Sequence, residues 1–174
     1  MVGLYADRSD VIRAFLRSRD GRYTVIDPPD SFPNEELADI NNRGEIVGFA
    51  DEDGDNTAGT RGFLRTRRGR YEAIEVPDAA STVAFKVNDR SQVAGVWFAR
   101  SLPGAAPQVH GFVWDGGEVT TIDDGFHRNR NGRFTMIEAP DEATYTRALD
   151  INNQGDIVGD YDAEPPGTDN GDPR

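Results

Sequence analysis

The sequence predicts an all-β protein, built as a β-propeller-like array of four-stranded antiparallel blades. The first observation is a repeated motif, since DINNRGEIVG at 39–48 returns as DINNQGDIVG at 150–159. The second is that alignment on this motif reveals repeats along most of the chain, as in propellers and related arrays. The third is that each repeat contains short segments of alternating polarity separated by Gly, Asn or Pro, which favours β-strands and turns.

The repeats predict a single domain over 1–162. Equivalent positions hold Phe15, Phe63 and Phe126 at the start of each full unit. The full units span 14–51, 62–97 and 125–162, the partial units span 2–7 and 110–124, and residues 163–174 are predicted to form a flexible acidic tail.

The first unit illustrates the strand assignment. One strand begins at Phe15, RYTVID forms a second, and LADIN and EIVGFA form the third and fourth on either side of the motif turn. Residues 41–44 suit a tight turn because Asn side chains bond nearby backbone and Gly44 tolerates a positive φ. Adjacent apolar residues at 46 and 47 predict a sheet covered on both faces by its neighbours. In the second unit Ser91 replaces this Gly, and a positive φ would cost a Ser about 1 kcal/mol, so we expect another turn type there.

The partial units predict an array that is not closed by this chain alone. Residues 2–7 match a fourth strand without the first three, and 110–124 match only the first two strands. We therefore expect either a piece of a longer array or a ring closed by pairing with another chain. Exposed strand edges favour self-association.

The pattern GF(L)…G-R-(Y/F)-T-x-I-(D/E)…D-I-N-N-x-G-(D/E)-I-V-G resembles the HAF family of bacterial extracellular repeats, which occur in secreted and surface proteins. The resemblance covers nearly the whole chain, and the second unit departs from it at Lys86 and Ser91. It implies a propeller-like fold and an extracellular or cell-surface location. It implies no particular activity and no catalytic residues.

The composition excludes some classes of partner. The chain has 31 Asp and Glu residues against 19 Lys and Arg, a net charge of -12, which repels both a phosphate backbone and an anionic membrane surface. No run is apolar enough to span a bilayer. The sequence therefore predicts no nucleic-acid partner and no membrane insertion.

Arginines concentrate in the loops that we expect at one side of the blades. Guanidinium groups suit carboxylate or sulfate, so these loops predict a site for an anionic small molecule or glycan. The alternative is that solvated loops carry charge and that the repeats copy this bias. The candidate ligand-binding residues are Arg65, Arg67, Arg68, Arg128 and Arg130.

Acidic residues concentrate in the loops predicted at the opposite side. The segment DEDGDN at 51–56 has carboxylates at alternate positions, as calcium loops do, and the last unit carries acidic residues in the corresponding loop. The alternative is a flexible acidic loop without a metal. The candidate calcium ligands are Asp51, Asp53, Asp55, Asp160 and Asp162.

Two residues break the repeat in ways that suggest catalysis. His127 replaces an apolar residue and could act as a general base, or it is a hydrogen-bonded core residue. Lys86 replaces the Asp of the motif, and an ion pair with a neighbouring blade is the alternative to a catalytic role.

We therefore predict a secreted or surface-associated repeat module that acts by ligand binding or assembly. The alternative is a calcium-dependent propeller hydrolase, in which a metal polarises a lactone or ester carbonyl and activates water.

Overall fold

The computed structural model describes residues 1–6, 8, 12–26, 36–51, 59–100, 108–122, 126–128, 134–136 and 146–161. Every regular element in this part of the chain is a β-strand, as the sequence predicts. The strands are β1 (Val2–Ala6), β2 (Ile12–Arg17), β3 (Tyr23–Ile26), β4 (Glu36–Ile40), β5 (Ile46–Asp51), β6 (Thr60–Arg65), β7 (Tyr71–Ile74), β8 (Ala79–Val87), β9 (Gln92–Ala99), β10 (Val109–Asp115), β11 (Glu118–Ile122), β12 (Phe126–Arg128), β13 (Phe134–Met136), β14 (Thr146–Ile151) and β15 (Ile157–Tyr161).

The strands form antiparallel sheets in which chain neighbours pair. The first sheet has the order β1-β2-β3, the second β4-β5-β6-β7, and the third β8-β9-β10-β11. The fourth sheet is the β14-β15 pair, and β12 and β13 form a separate hairpin. Two of these sheets have the four strands expected for a blade.

The sheets are out of phase with the sequence units. β5 pairs with β6, with Val47 opposite Leu64, so the last strand of the first unit and the first strand of the second share a sheet. The chain crosses to the next sheet after β7, through a turn in which Ala79 N–H donates to Val76 O. Hydrogen bonding to the nearest antiparallel strand, rather than sequence similarity, decides where a sheet begins. Each sheet with a motif turn therefore starts at its LADIN-type strand.

This phase changes the interpretation of the segment 110–124. Its strands β10 and β11 are the third and fourth strands of the third sheet, where β10 pairs with β9 through Phe112 and Gly95. The third sheet is therefore complete. Among the described strands the first sheet has no LADIN-type strand, because β1 corresponds to β5 and not to β4.

The four sheets stack face to face in chain order. We call the side of a sheet that faces the preceding sheet its front face and the opposite side its back face. Ala14 and Ile26 from the back of the first sheet cluster with Ile46 on the front of the second. Later interfaces repeat this arrangement. The second interface joins Val47, Leu64 and Ile74 to Val93, Phe112 and Trp114. The third joins Ala94 and Val113 to Ala148, Ile151 and Ile157.

The β12-β13 hairpin lies at the end of this stack. β12 approaches β15 without joining its sheet. Strands that precede β14 in the chain thus lie beside the fourth sheet. The described elements include no helix that is long and apolar enough to cross a membrane.

Candidate functional site

The motif turns have one geometry in all three sheets that carry them. Asn41 Oδ1 accepts the backbone N–H groups of Arg43 at 3.0 Å and Glu45 at 2.9 Å. Asn88 and Asn152 bond in the same way to the residues two and four positions later. The tight turn predicted from the sequence is confirmed, and Gly44 has the expected positive φ of 80°.

The same asparagines also join the sheets to one another. Asn41 Nδ2 donates to Asn88 O at 2.9 Å, and Asn88 Nδ2 donates to Asn152 O at 2.8 Å. Asn88 is buried, so these bonds are shielded from water. We call Asn41, Asn88 and Asn152 the asparagine ladder. The sequence shows that Asn recurs, but the bonds between sheets appear only when the sheets are stacked.

A second row of polar contacts runs beside the ladder. Asp89 accepts the side-chain N–H of Asn42 at 2.9 Å and its backbone N–H at 2.8 Å. Asn153 also donates to Asp89, at 2.7 Å. These hydrogen bonds, those of Asn42 first, and the nearby charge of Arg43 lower the pKa of Asp89 below its ordinary value of 3.8. Asp89 therefore links the second and fourth sheets through the third.

The expectation of a different turn type at Ser91 is wrong. Its φ is 66°, close to those of the glycines at the equivalent positions. The Ser91 hydroxyl lies 3.0 and 2.9 Å from the two carboxylate oxygens of Glu45 in the preceding sheet. A hydrogen bond to a charged group contributes about 1.5–3 kcal/mol, enough to offset the cost of the left-handed conformation. The side chain that strains the turn is thus one that binds the neighbouring sheet.

Lys86 lies in the interface between the second and third sheets. Its Nζ is 3.8 Å from Asp39 Oδ1, and Asp39 Oδ2 accepts the Val87 backbone N–H at 3.2 Å. The ion pair with a neighbouring sheet, one of the two sequence hypotheses, is therefore present. A catalytic role for Lys86 remains a prediction.

The structure brings three of the five candidate anion-binding arginines together on the second sheet. The Arg65 guanidinium carbon lies 5.7 Å from the centre of the Tyr71 ring, so this side chain stacks within its own hairpin. Arg67 and Arg68 are exposed on the β6-β7 turn, and the aliphatic part of Arg67 lies against Gly44. The Arg128 side chain and Arg130 lie outside the described residues.

The structure separates the candidate calcium ligands that it describes. Asp51 is buried at the end of β5, whereas Asp160 is in the fourth sheet, with the third sheet between them. Both oxygens of Asp160 accept hydrogen bonds from Arg147, one of them at 2.7 Å. Among the described residues no three His, Asp or Glu side chains are grouped to hold a metal. Asp53, Asp55, Asp162, the tail 163–174 and the His127 side chain lie outside this description.

A cleft of about 230 Å³ opens between the second and third sheets at the other end of the strands. Thr60, Glu75, Asp78 and Arg100 are among its lining residues. Its floor is internally bonded, since Thr82 Oγ1 accepts the Gly62 N–H at 2.6 Å. The cleft thus has mixed charge, and its floor hydroxyl already has a partner.

Apolar residues are exposed on both end faces of the stack, and the back face of the fourth sheet also carries the charged side chains of Arg147, Asp150 and Asp160. On the front face of the first sheet Tyr5, Phe15 and Tyr23 form an aromatic row, with ring centres 6.2 and 5.4 Å apart, and Tyr23 is 66% exposed. Phe63, which corresponds to Phe15 in the second sheet, is 0% exposed. On the back face of the fourth sheet Val158 is 60% exposed, whereas the corresponding Val47 is 0% exposed.

No family model, curated protein or solved structure matches this chain. Fold and contacts define it as a repeat protein of stacked antiparallel sheets joined by asparagine turns.

Proposed function

We propose that this protein is a secreted or surface-associated repeat module that acts by assembly, in which copies stack head to tail. The observation that carries the proposal is the exposure of apolar residues at both ends of the stack, on faces whose counterparts inside the stack are buried. The resemblance to HAF repeats supports a location outside the cell. The predicted propeller-like ring is part of the proposal, with its closure supplied by another chain.

The two end faces correspond to the two kinds of face that pack together inside the stack. Inside the molecule each back face packs on the next front face, as Leu64 and Phe112 show in the second interface. The exposed front face bears Tyr5, Tyr23 and Val25, and the exposed back face bears Val158. Packing the fourth sheet of one copy on the first sheet of the next would repeat the internal arrangement. Such a heterologous contact forms a ring if it closes and a fibre if it does not.

Two single variants test this arrangement because each blocks one end. Tyr23→Glu disables the front face of the first sheet, and Val158→Glu disables the back face of the fourth. We expect the wild-type molar mass to rise with concentration in sedimentation analysis, and each variant alone to stay monomeric. An equimolar mixture of the two variants retains one intact pair of faces and is expected to form dimers and nothing larger.

A matched control is Thr120→Glu, which adds the same charge at an exposed position of β11 in the third sheet. We expect it to associate like the wild type. A wild type that remains monomeric at all concentrations, or a mixture of variants that forms no dimer, would contradict head-to-tail stacking.

Ligand binding is a second candidate function, favoured by Arg67 and Arg68. Both side chains are exposed on one turn, and within the described part of the chain neither forms an ion pair with an acidic residue. We propose an anionic ligand, and a sulfated oligosaccharide is a suitable probe. Binding that survives the double change of Arg67 and Arg68 to Ala would place the site elsewhere.

The calcium-dependent hydrolase remains a prediction that these observations do not favour. Thermal melting and ester or lactone hydrolysis, with calcium and then with chelator, test it directly. Hydrolysis that requires calcium would support this alternative, and absence of hydrolysis under both conditions would end it.

A further inference from the structure

The outer edge of β1 is an unfilled position in an otherwise regular pattern. In the second, third and fourth sheets the strand that follows the motif turn pairs with a LADIN-type strand, as β5 does with β4. β1 corresponds to β5 but pairs only with β2 among the described strands. Its other edge presents backbone groups that can bond an added strand.

A glycine shows what kind of strand fits this edge. Gly48, Gly95 and Gly159 each lie against a carbonyl just before the bulge of the LADIN-type strand, where a Cβ would overlap the oxygen of Glu36, Val83 or Arg147. Gly3 occupies the same place in β1, and the atoms closest to a Cβ there belong to the Phe15 ring. β1 thus has the glycine that a bulged partner strand requires, without that strand.

Among the described residues the asparagine ladder also lacks a partner at its first member, Asn41, in the second sheet. Asn88 O and Asn152 O each accept an Asn side-chain N–H from the preceding sheet. Asn41 O accepts only the Gly44 N–H of its own turn, at 3.1 Å, among the described contacts. The donor that would complete the pattern is an Asn that follows a strand added to β1.

We propose that the outer edge of β1 binds an extended segment that reads Asp-apolar-Asn-Asn and lies outside residues 1–174. In this chain that pattern or its variant occurs at 39–42, 86–89 and 150–153, and β4, β8 and β14 already use all three. This inference rests on the proposed assembly function. It specifies which segment the first sheet binds when copies assemble.

The contacts inside the stack specify how the segment lies. Its first Asn side chain donates to Asn41 O, as Asn41 does to Asn88 O. Its Asp accepts the Ile40 N–H, as Asp39 accepts the Val87 N–H at 3.2 Å. The backbone N–H of its second Asn donates to Asn42 Oδ1, as that of Asp89 donates to Asn153 at 2.7 Å. The recognition is therefore specific for Asp and Asn at fixed positions, and not for any extended peptide.

A synthetic peptide of residues 36–45, ELADINNRGE, is the probe. Binding is measured by fluorescence anisotropy on the Val158→Glu variant, which lacks one stacking face, so the result does not depend on whether copies stack. Hydrogen exchange of the same mixture locates the peptide. We expect saturable binding and increased protection at residues 2–6.

Two N-methylated peptides separate strand pairing from nonspecific adhesion. The N–H of Val87, which corresponds to Ile40, points out of its sheet to Asp39, so methylation at Ile40 should leave binding intact. The next N–H along a strand points to the opposite edge, so methylation at Asp39 should weaken binding at least tenfold. Equal binding of the two methylated peptides would overturn the proposal. So would absence of binding by the unmodified peptide, or protection elsewhere than β1.

A protein variant provides the second measurement. Gly3→Val in the Val158→Glu background places a side chain where a carbonyl of the added strand must lie. We therefore expect loss of peptide binding. The new side chain also meets the Phe15 ring, so near-ultraviolet circular dichroism checks that the first sheet is intact. A folded Gly3→Val protein that binds the peptide as strongly as its parent would also overturn the proposal.

Discussion

The first and second sheets carry a Phe and a Tyr at equivalent places, yet the Phe is fully buried only in the second sheet. Phe15 and Phe63 both contact a Tyr on the adjacent strand, with ring centres 5.4 and 5.2 Å apart. Phe63 is fully buried in a cluster with Ala50 and Leu37 of its own sheet, whereas Phe15 is partly exposed on the front face of the first sheet. The difference shows that the position of a repeat in the array, and not the motif alone, sets how far a repeated side chain is buried.

The largest test of this comparison truncates the two phenylalanines. Phe63→Ala removes a fully buried ring and should cost about 3–5 kcal/mol of unfolding free energy. Phe15→Ala should cost about 1–2 kcal/mol at low protein concentration, because part of its ring already contacts water. Urea unfolding measures both. Equal costs for the two changes would show that the first sheet is as well covered as the second.

The next test compares the middle and the end of the asparagine ladder. Asn88→Ala leaves buried groups without partners and should cost about 2–3 kcal/mol. Asn152→Ala, at the exposed end, should cost about 1 kcal/mol because water replaces the lost bonds. Chemical unfolding of the two variants decides. A larger loss for Asn152→Ala would mean that burial does not strengthen the ladder.

A smaller effect is expected at the turn of the third sheet. Ser91→Ala keeps the positive φ but loses the bond to Glu45, and should destabilise by about 1–2 kcal/mol. Ser91→Gly loses the same bond but relieves the backbone, and should stay within about 1 kcal/mol of wild type. Thermal melting ranks the two. If Ala is tolerated better than Gly, the positive φ at this position does not carry the cost assigned to it.

The smallest effect concerns Asp89. Its pKa is lowered in the folded state, so its contribution to stability is present above the ordinary value of 3.8 and is lost as pH falls through the lowered value. We expect Asp89→Asn to melt below wild type near neutral pH, and the gap to narrow in acid. Glu118→Gln, which removes an exposed carboxylate of β11, is the matched control for the change of charge. A difference in melting temperature between wild type and Asp89→Asn that stays constant with pH would show that Asp89 does not contribute to the loss of stability in acid.

The residue pattern was sufficient to predict much of the local structure. Alternation and turn residues predicted the strands, and Asn41 and Gly44 predicted the turn geometry. The pattern was not sufficient to predict which strands share a sheet. The similarity between β5 and β9 is the same whether β5 is the last strand of one sheet or an inner strand of the next. The positive φ of Ser91 could not be predicted either, since the compensating carboxylate of Glu45 belongs to a different repeat.

The sequence by itself determined the strands, the turns and the number of motif copies, because these follow from side-chain alternation and from the backbone freedom of Gly and Asn over a few residues. The tertiary structure alone decided which strands share a sheet, which asparagines bond between sheets, and that β1 and the end faces have no further partner among the described strands. Those features depend on contacts between residues far apart in the chain, and their free energy arises only when one repeat excludes water from the next.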